Sequence, residues 1–298
     1  MGAPPCGAVR PSAVAADWAM TWAARGCPNR GPWSESSPMA SSVECYATPE
    51  EGRPLEMDVF APNAPGPHPA VLCIHGGGWH GGNRDQFRPH AQDLVARGFV
   101  AVTPTYRLSD KAAWPAQLLD VQQAVRWVRA NAKRFGVDPT RLGAVGSSAG
   151  GHLAACLGTR EDADAVARGE PSSRVQCVVD LHGIHDLPEM QGHKTEELCR
   201  RLCGGSLEQR TEAWVDASPV HFVGPETAAT FLVHDPHDPT VPYEQSALMA
   251  TALVNAARPL SFLPTPGSGH GFVYNLTNPH AAVVWPLVVR WLEQWLRP

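Results

Sequence analysis

Leu142-Gly143-Ala144-Val145-Gly146-Ser147-Ser148-Ala149-Gly150-Gly151-His152-Leu153-Ala154-Ala155-Cys156-Leu157 is the stretch that decides the fold. Its opening residues, Leu142 to Val145, are apolar throughout, as expected of a strand covered on both faces. From Ala149 to Leu157 the residues are small or apolar and read as a helix. Between them Gly146-x-Ser148-x-Gly150 matches a strained strand-to-helix reversal, in which bulky neighbours of the serine would clash as the chain turns back. Such a turn exposes the Ser148 hydroxyl at the end of a sheet. The start of the following helix adds partial positive charge beside it.

Outward from this turn, apolar runs alternate with amphipathic segments. Val43 to Thr48 and Leu55 to Phe60 read as opening strands, and a Pro-rich turn, Pro62 to Pro69, follows. Ala70 to Ile74, Phe99 to Thr103, Val175 to Leu181, Thr230 to Val233 and Leu260 to Leu263 read as further strands. Helices are expected over Arg88 to Arg97, Pro115 to Phe135, Tyr243 to Asn255 and Ala281 to Leu296. In the second of these Leu118, Val121, Val125 and Val128 share one face, and Gly136 closes it. The alternation implies an α/β architecture, a mostly parallel central sheet flanked by helices. In such sheets the ligand crevice lies beyond the carboxyl ends of the strands. Glu161 to Arg174 reads as a polar loop. Leu187 to Val220 is longer, charged and partly helical, and is expected to form a small cap over the crevice.

The 298 residues suffice for one large core. Residues 1 to 42, rich in Pro, Gly, Ala and Ser, are expected to be a poorly ordered extension before a catalytic domain at 43–298. Met39 is a candidate translation start. Apolar residues make up 43% and charged residues 18%, with a net charge of −5. Without a basic excess, nucleic acid is not an expected partner. No stretch approaches the roughly 20 apolar residues of a membrane span. Met1 to Arg30 lacks a basic head followed by an apolar run, so no secretory signal is expected. The eight cysteines form no CxxC pair, and Cys199 and Cys203, with His193 near, match no zinc spacing. A cytoplasmic location follows as the expectation. Nothing in the sequence marks an oligomeric state.

A serine hydroxyl needs a base to become a nucleophile at neutral pH. Of thirteen histidines, His270 lies in the Gly-rich segment Gly267-Ser-Gly-His-Gly-Phe272, just after the last strand. The acid that orients it should follow the strand Thr230 to Val233, where Asp235 and Asp238 stand. Asp238 is preferred because Asp238-Pro-Thr-Val-Pro242 is a turn leading into a helix, whereas Asp235 is better placed to shape the loop. The order serine, acid, histidine fits. His75-Gly76-Gly77-Gly78-Trp79 follows another strand. Glycines let a backbone turn its N–H groups into the crevice. Gly77 and Gly78, with the N–H of Ala149, are the candidate oxyanion donors, each typically worth about 3 kcal/mol. His75 is expected to hold its loop by hydrogen bonding, Asp120 to make a structural hydrogen bond, and His152 to point away from the serine. His182 and His185 are candidates for lining the pocket.

Together these motifs resemble the α/β-hydrolase esterases, in particular the HGGG-containing branch related to hormone-sensitive lipase and to bacterial feruloyl and acetyl-xylan esterase-like enzymes. The likeness runs from about residue 54 to 296. It includes Tyr106-Arg-Leu-Ser109, Arg126-Trp-Val-Arg129 and Gly136-Val-Asp-Pro139 besides the segments above. It implies Ser148, Asp238 and His270 as a triad, Gly77, Gly78 and Ala149 as oxyanion hole, and a small carboxylic ester as substrate. No metal or cofactor is needed for that chemistry. Two positions depart from the branch: Ser147, where many lipase-like relatives carry an acid, and His234-Asp235, where His-Gly is frequent. The alternatives are an amide or peptide hydrolase, such as a kynurenine formamidase-like enzyme or an exopeptidase, and, in another class, a non-catalytic binding protein on the same scaffold.

Overall fold

A computed structural model describes residues 39–49 and 53–297. The segment read as an extension therefore lies outside the described residues up to position 38. Eight strands form one sheet in the order β1-β2-β4-β3-β5-β6-β7-β8. They are β1 (Met39–Ala47), β2 (Leu55–Pro62), β3 (His68–Ile74), β4 (Val100–Pro104), β5 (Val137–Ser147), β6 (Cys177–Leu181), β7 (Ala229–His234) and β8 (Leu260–Pro264). β1 and β2 run antiparallel to their neighbours, and all other pairings are parallel. This is the α/β-hydrolase fold, as the alternation of apolar and amphipathic segments implies. β1 begins at Met39, four residues before the strand read from the sequence, because Met39 to Ser42 pair in register with Val59 to Pro62.

Helices cover both faces. On one side α1 (Arg88–Ala96) and α9 (Pro279–Leu296) bury Leu94, Trp285, Val288 and Leu292 against the sheet. On the other, α2 (Ala116–Ala130) and α4 (Ala149–Thr159) bury Val121, Val125, Leu153 and Leu157. α4 is buried along its whole length. That explains its small residues: a Cβ on Gly158 would stand 2.6 Å from Val178 Cγ2 on the strand beneath. The sequence suggested one helix from Pro115 to Phe135; it breaks at Asn131 into α2 and a single turn, α3 (Ala132–Phe135), which Gly136 ends in the left-handed region. The segment read as a polar loop at Glu161 to Arg174 carries the short helix α5 (Ala163–Ala167), capped by the Asp162 side chain.

Leu187 to Val220 folds as two short helices, α6 (Glu196–Cys203) and α7 (Thr211–Asp216), between single 3-10 turns. Its apolar residues Leu202, Cys203 and Trp214 are buried in the core on the α2 and α4 side. Trp114 fixes it to the main body, its backbone N–H donating to the Leu202 carbonyl at 2.7 Å and its indole to Asp216 at 2.6 Å. α8 (Glu244–Asn255) packs beside β7 and β8. Asp120 makes the structural contact read for it, gripping the Arg107 guanidinium and accepting from the Arg107 backbone N–H at 2.9 Å.

Candidate active site

The turn after β5 forces Ser148 to φ 56°, ψ −120°, a conformation that side chains rarely adopt. The flanking glycines are required by close backbone approach. A Cβ on Gly146 would collide with the Gly150 carbonyl oxygen, and one on Gly150 with the Ile74 carbonyl oxygen of β3. The Ser148 N–H donates to the Leu181 carbonyl of β6 at 2.8 Å, and the Ser148 carbonyl accepts the His152 N–H at 2.9 Å. The Ser148 backbone is thus held on both sides of the turn by main-chain hydrogen bonds.

His270 arrives from the loop after β8. Its Nε2 lies 3.0 Å from Ser148 Oγ, and its Nδ1–H donates to Asp238 Oδ2 at 2.7 Å. A carboxylate only accepts, so Nδ1 carries the proton and Nε2 is free to receive that of Ser148. The Asp238 side chain is buried while that of His270 is 19% exposed. Burial alone would raise the Asp238 pKa. Hydrogen bonds from His234 and His270, the charge of His270 and the Thr240 N–H outweigh it and hold the carboxyl well below the usual carboxylate range. Its second oxygen accepts the N–H groups of Thr240 at 2.7 Å and Val241 at 3.1 Å.

Asp235 stands apart from the imidazole. It accepts the N–H groups of His237 at 2.9 Å and Gly269 at 2.7 Å, tying the β7 loop to the segment that carries His270. His234 backs Asp238: its Nε2–H meets the Val241 carbonyl at 3.0 Å and lies 3.5 Å from Asp238 Oδ2. Its Nδ1 takes the Ser246 hydroxyl at 2.8 Å. His90 on α1 donates to the Val273 carbonyl at 2.9 Å, anchoring the chain just beyond His270.

A cavity of about 280 Å³ opens on Ser148 and His270. Gly77 and Gly78 line it, both with positive φ. Ala149 is buried rather than at the cavity wall, and its N–H begins α4, where helix geometry supplies no intrahelical acceptor. Thr195, Leu198 and Cys199, all from the segment read as a cap, form part of the wall together with Ile184 and Tyr274. Contact with the oxyanion-loop candidate is tight: a Cβ on Gly78 would stand 2.7 Å from Leu198 Cδ1. Among the described residues, His270 is joined at the cavity wall by no carboxylate, lysine or arginine. His182 and His185, read as lining candidates, are fully buried behind it. Both strand-end positions turn inward, His185 onto the Asp180 carboxylate and His182 onto Ser147.

The sequence reading missed what His152 does. It points away from Ser148, but its Nδ1 accepts the Trp79 indole N–H at 3.1 Å and its Nε2–H donates to the Ala217 carbonyl at 2.6 Å. One buried imidazole therefore joins the glycine loop, α4 and the Leu187–Val220 segment. Burial lowers its pKa to about 3 and keeps it neutral. Its i+4 place after the nucleophile was the only signal available. His75 holds its own loop: Nδ1 meets the Gly76 carbonyl at 2.8 Å, and the ring stacks on Tyr106. Among the described residues one group of potential metal ligands comes within 4.8 Å, His182, Asp238 and His270. The Asp238 and His270 atoms in it are spent on each other and on Ser148. Cys199 and Cys203 are buried thiols, and His193 turns to Thr195.

The family described as BD-FAE matches residues 57–253. The chain belongs to this family. Its likeness to the α/β-hydrolase esterases, read from the glycine motifs, is borne out. Esterase LipC of Mycobacterium tuberculosis is 32% identical over 217 residues, 69% of this chain and 53% of the relative. The probable carboxylic ester hydrolase LipM of the same organism is 29% identical over 75% of this chain and 54% of its own. The chain thus spans about half the length of the curated relatives it matches. Among solved structures, an acetyl ester-xyloside bifunctional hydrolase from Caldicellulosiruptor lactoaceticus superposes with a TM-score of 0.76 at 26% identity. That match covers 85% of this BD-FAE chain and 96% of the other. Propionate-bound esterase Est2 from Thermogutta terrifontis gives a TM-score of 0.74 at 28% identity, covering 87% and 96%. Among the described residues no helix is long and apolar enough to cross a membrane.

Proposed function

We propose that this chain hydrolyses small carboxylic esters, short-chain acyl esters and acetyl or feruloyl esters of sugars being the candidate substrates, through an acyl-enzyme on Ser148. The observation that carries this reading is the unbroken row from Asp238 through His270 to Ser148, with spacings of 2.7 and 3.0 Å, at the floor of the cavity. His270 takes the Ser148 proton as the oxygen attacks the ester carbonyl. Asp238 fixes the tautomer and stabilises the imidazolium. The N–H groups of Gly77, Gly78 and Ala149 receive the oxyanion. His270 then returns its proton to the leaving alcohol, and a water activated by the same imidazole releases the acid. Among the described residues no carboxylate, lysine or arginine lines the cavity, which suits a neutral ester. Relatives named as esterases, one carrying propionate, support a short acyl group. The catalytic domain, read from the sequence as 43–298, takes in the whole of β1 from Met39 in this reading, with Leu187 to Val220 as a cap over the cavity. Free thiols at Cys45, Cys73, Cys156, Cys177, Cys199 and Cys203 support a cytoplasmic setting.

The test pairs a fluorophosphonate probe with a chain-length series of p-nitrophenyl esters, acetylated and feruloylated sugars, and matched anilides. Labelling at Ser148 with turnover of short esters is expected. In Ser148→Ala, kcat should fall by at least about three orders of magnitude. Retained turnover in that variant, or a preference for the anilides, overturns the ester reading.

A further inference from the structure

His182 directly follows β6 in a conformation unusual for a side-chain-bearing residue, with φ 49°, and is fully buried. Its backbone N–H donates to the Val233 carbonyl of β7 at 2.8 Å, so its main chain is anchored to the neighbouring strand. The imidazole packs against that of His270, with ring centroids 4.5 Å apart and planes inclined at 50°. Its Nε2 meets two groups. The Gly271 backbone N–H donates to it at 3.3 Å, and the Ser147 hydroxyl lies 2.8 Å away. Because Nε2 accepts from Gly271, it is the nitrogen with the lone pair, and Ser147 donates to it as well. The proton then sits on Nδ1, which has no partner among the described residues. One nitrogen therefore gathers the residue immediately before the nucleophile and the residue immediately after the base. The proposed chemistry uses neither contact.

We propose that His182 is a positioning residue: it sets the separation of Ser148 and His270 by tying Ser147 and Gly271 to a single acceptor, and floors the His270 ring against tilting. The mechanical need is plain from the loops it joins. Gly267, Gly269 and Gly271 around the base all have positive φ, and nothing would meet a Cβ on the first two, so main-chain packing does little to hold that segment. Proton transfer from serine to imidazole is steep in distance and angle, and a misplacement of about 1 Å can cost about 100-fold. Ser147 acquires a use here as the second tether. Burial, with His270 and His234 near, holds the His182 imidazole well below the usual histidine range. It stays neutral while His270 gains its proton, and so does not oppose the imidazolium.

This inference rests on the triad reading, and the experiment separates the two. In the full chain, kcat and KM are measured with p-nitrophenyl acetate and butyrate for wild type, Ser148→Ala, His182→Leu, His182→Gln and Ser147→Ala, each scaled to the folded fraction from tryptophan fluorescence. Activity in Ser148→Ala would sink the triad reading itself. With that variant inactive, His182→Leu should lower kcat about tenfold or more with KM within about twofold, since binding groups are untouched. His182→Gln, which offers an acceptor oxygen near the Nε2 position, should recover kcat to within about threefold of wild type. Ser147→Ala, which cuts one tether, should lose about threefold in kcat at unchanged KM. Wild-type kcat in His182→Leu, or a Gln variant no better than Leu, overturns the proposal. If the Leu variant does not fold, Ser147→Ala decides, and full kcat there rejects it.

Discussion

Two turns present Ser148 and His270, and they are built in opposite ways. The Ser148 turn is clamped by backbone: carbonyls of Gly150 and Ile74 leave no room for a Cβ at Gly146 or Gly150. The His270 loop is open at Gly267 and Gly269, where nothing lies within 4 Å of an added Cβ. It is held instead by side chains that reach it from elsewhere: Asp238 to the ring, Asp235 to the Gly269 N–H, His182 to the Gly271 N–H and His90 to the Val273 carbonyl. Ser148 is thus held chiefly by steric fit of the backbone around its turn, and His270 by long-range hydrogen bonds. The physical lesson is that glycine means two things in one site. In the first turn it permits close approach, and in the second it permits a positive φ.

The sharpest way to break this contrast is alanine at each kind of glycine. Gly150→Ala forces the start of α4 away from the end of β3 and should give little or no folded protein, read as soluble yield and loss of a cooperative thermal transition. Asp238→Asn comes next, on activity. An amide there can present a donor to Nδ1, favouring the wrong tautomer, and kcat should fall by about 10³–10⁴ in protein that still folds. Gly269→Ala meets no atom, only its φ of 73°, and should cost about 1–2 kcal/mol by urea unfolding. Equal stability loss at Gly150 and Gly269 would remove the distinction. Asp235→Asn, which weakens the acceptor for the Gly269 N–H, should cost about 1 kcal/mol and lower kcat far less than Asp238→Asn. The smallest effect is in pH. Asp238 is held below its ordinary range in the fold, so its charge contributes stability that is complete above the ordinary carboxylate range and is lost as pH falls below about 4. Urea midpoints of wild type and Asp238→Asn at pH 7 and pH 3 should therefore draw closer at pH 3; a gap that widens would contradict the depressed carboxylate.

Much of this was legible in the chain. Strand and helix alternation follows from runs such as Ala70–Ile74 and from the small-residue helix after Ser148, because burial on both faces of a parallel sheet leaves no polar positions to confuse the pattern. The split of the long helix at Asn131 was hidden, since an asparagine inside an otherwise amphipathic run does not by itself end a helix. The burial of His182 and His185 was hidden too. Both follow a strand end, where a side chain faces either the crevice or the interior, and the choice depends on a φ of 49° at His182 that no residue type announces.

By itself the sequence determined the sharp turn at Ser148, since only small neighbours allow a chain to reverse there, and it narrowed the acid to two aspartates and the base to one Gly-rich loop. Tertiary structure alone decided which carboxylate meets the imidazole, that His182 joins Ser147 to Gly271, and that His152 links Trp79 to Ala217. The reason is range. Steric demands are local and are written in neighbouring residues, whereas a hydrogen bond across 122 positions, from Ser148 to His270, exists only once the sheet has brought its strand ends together.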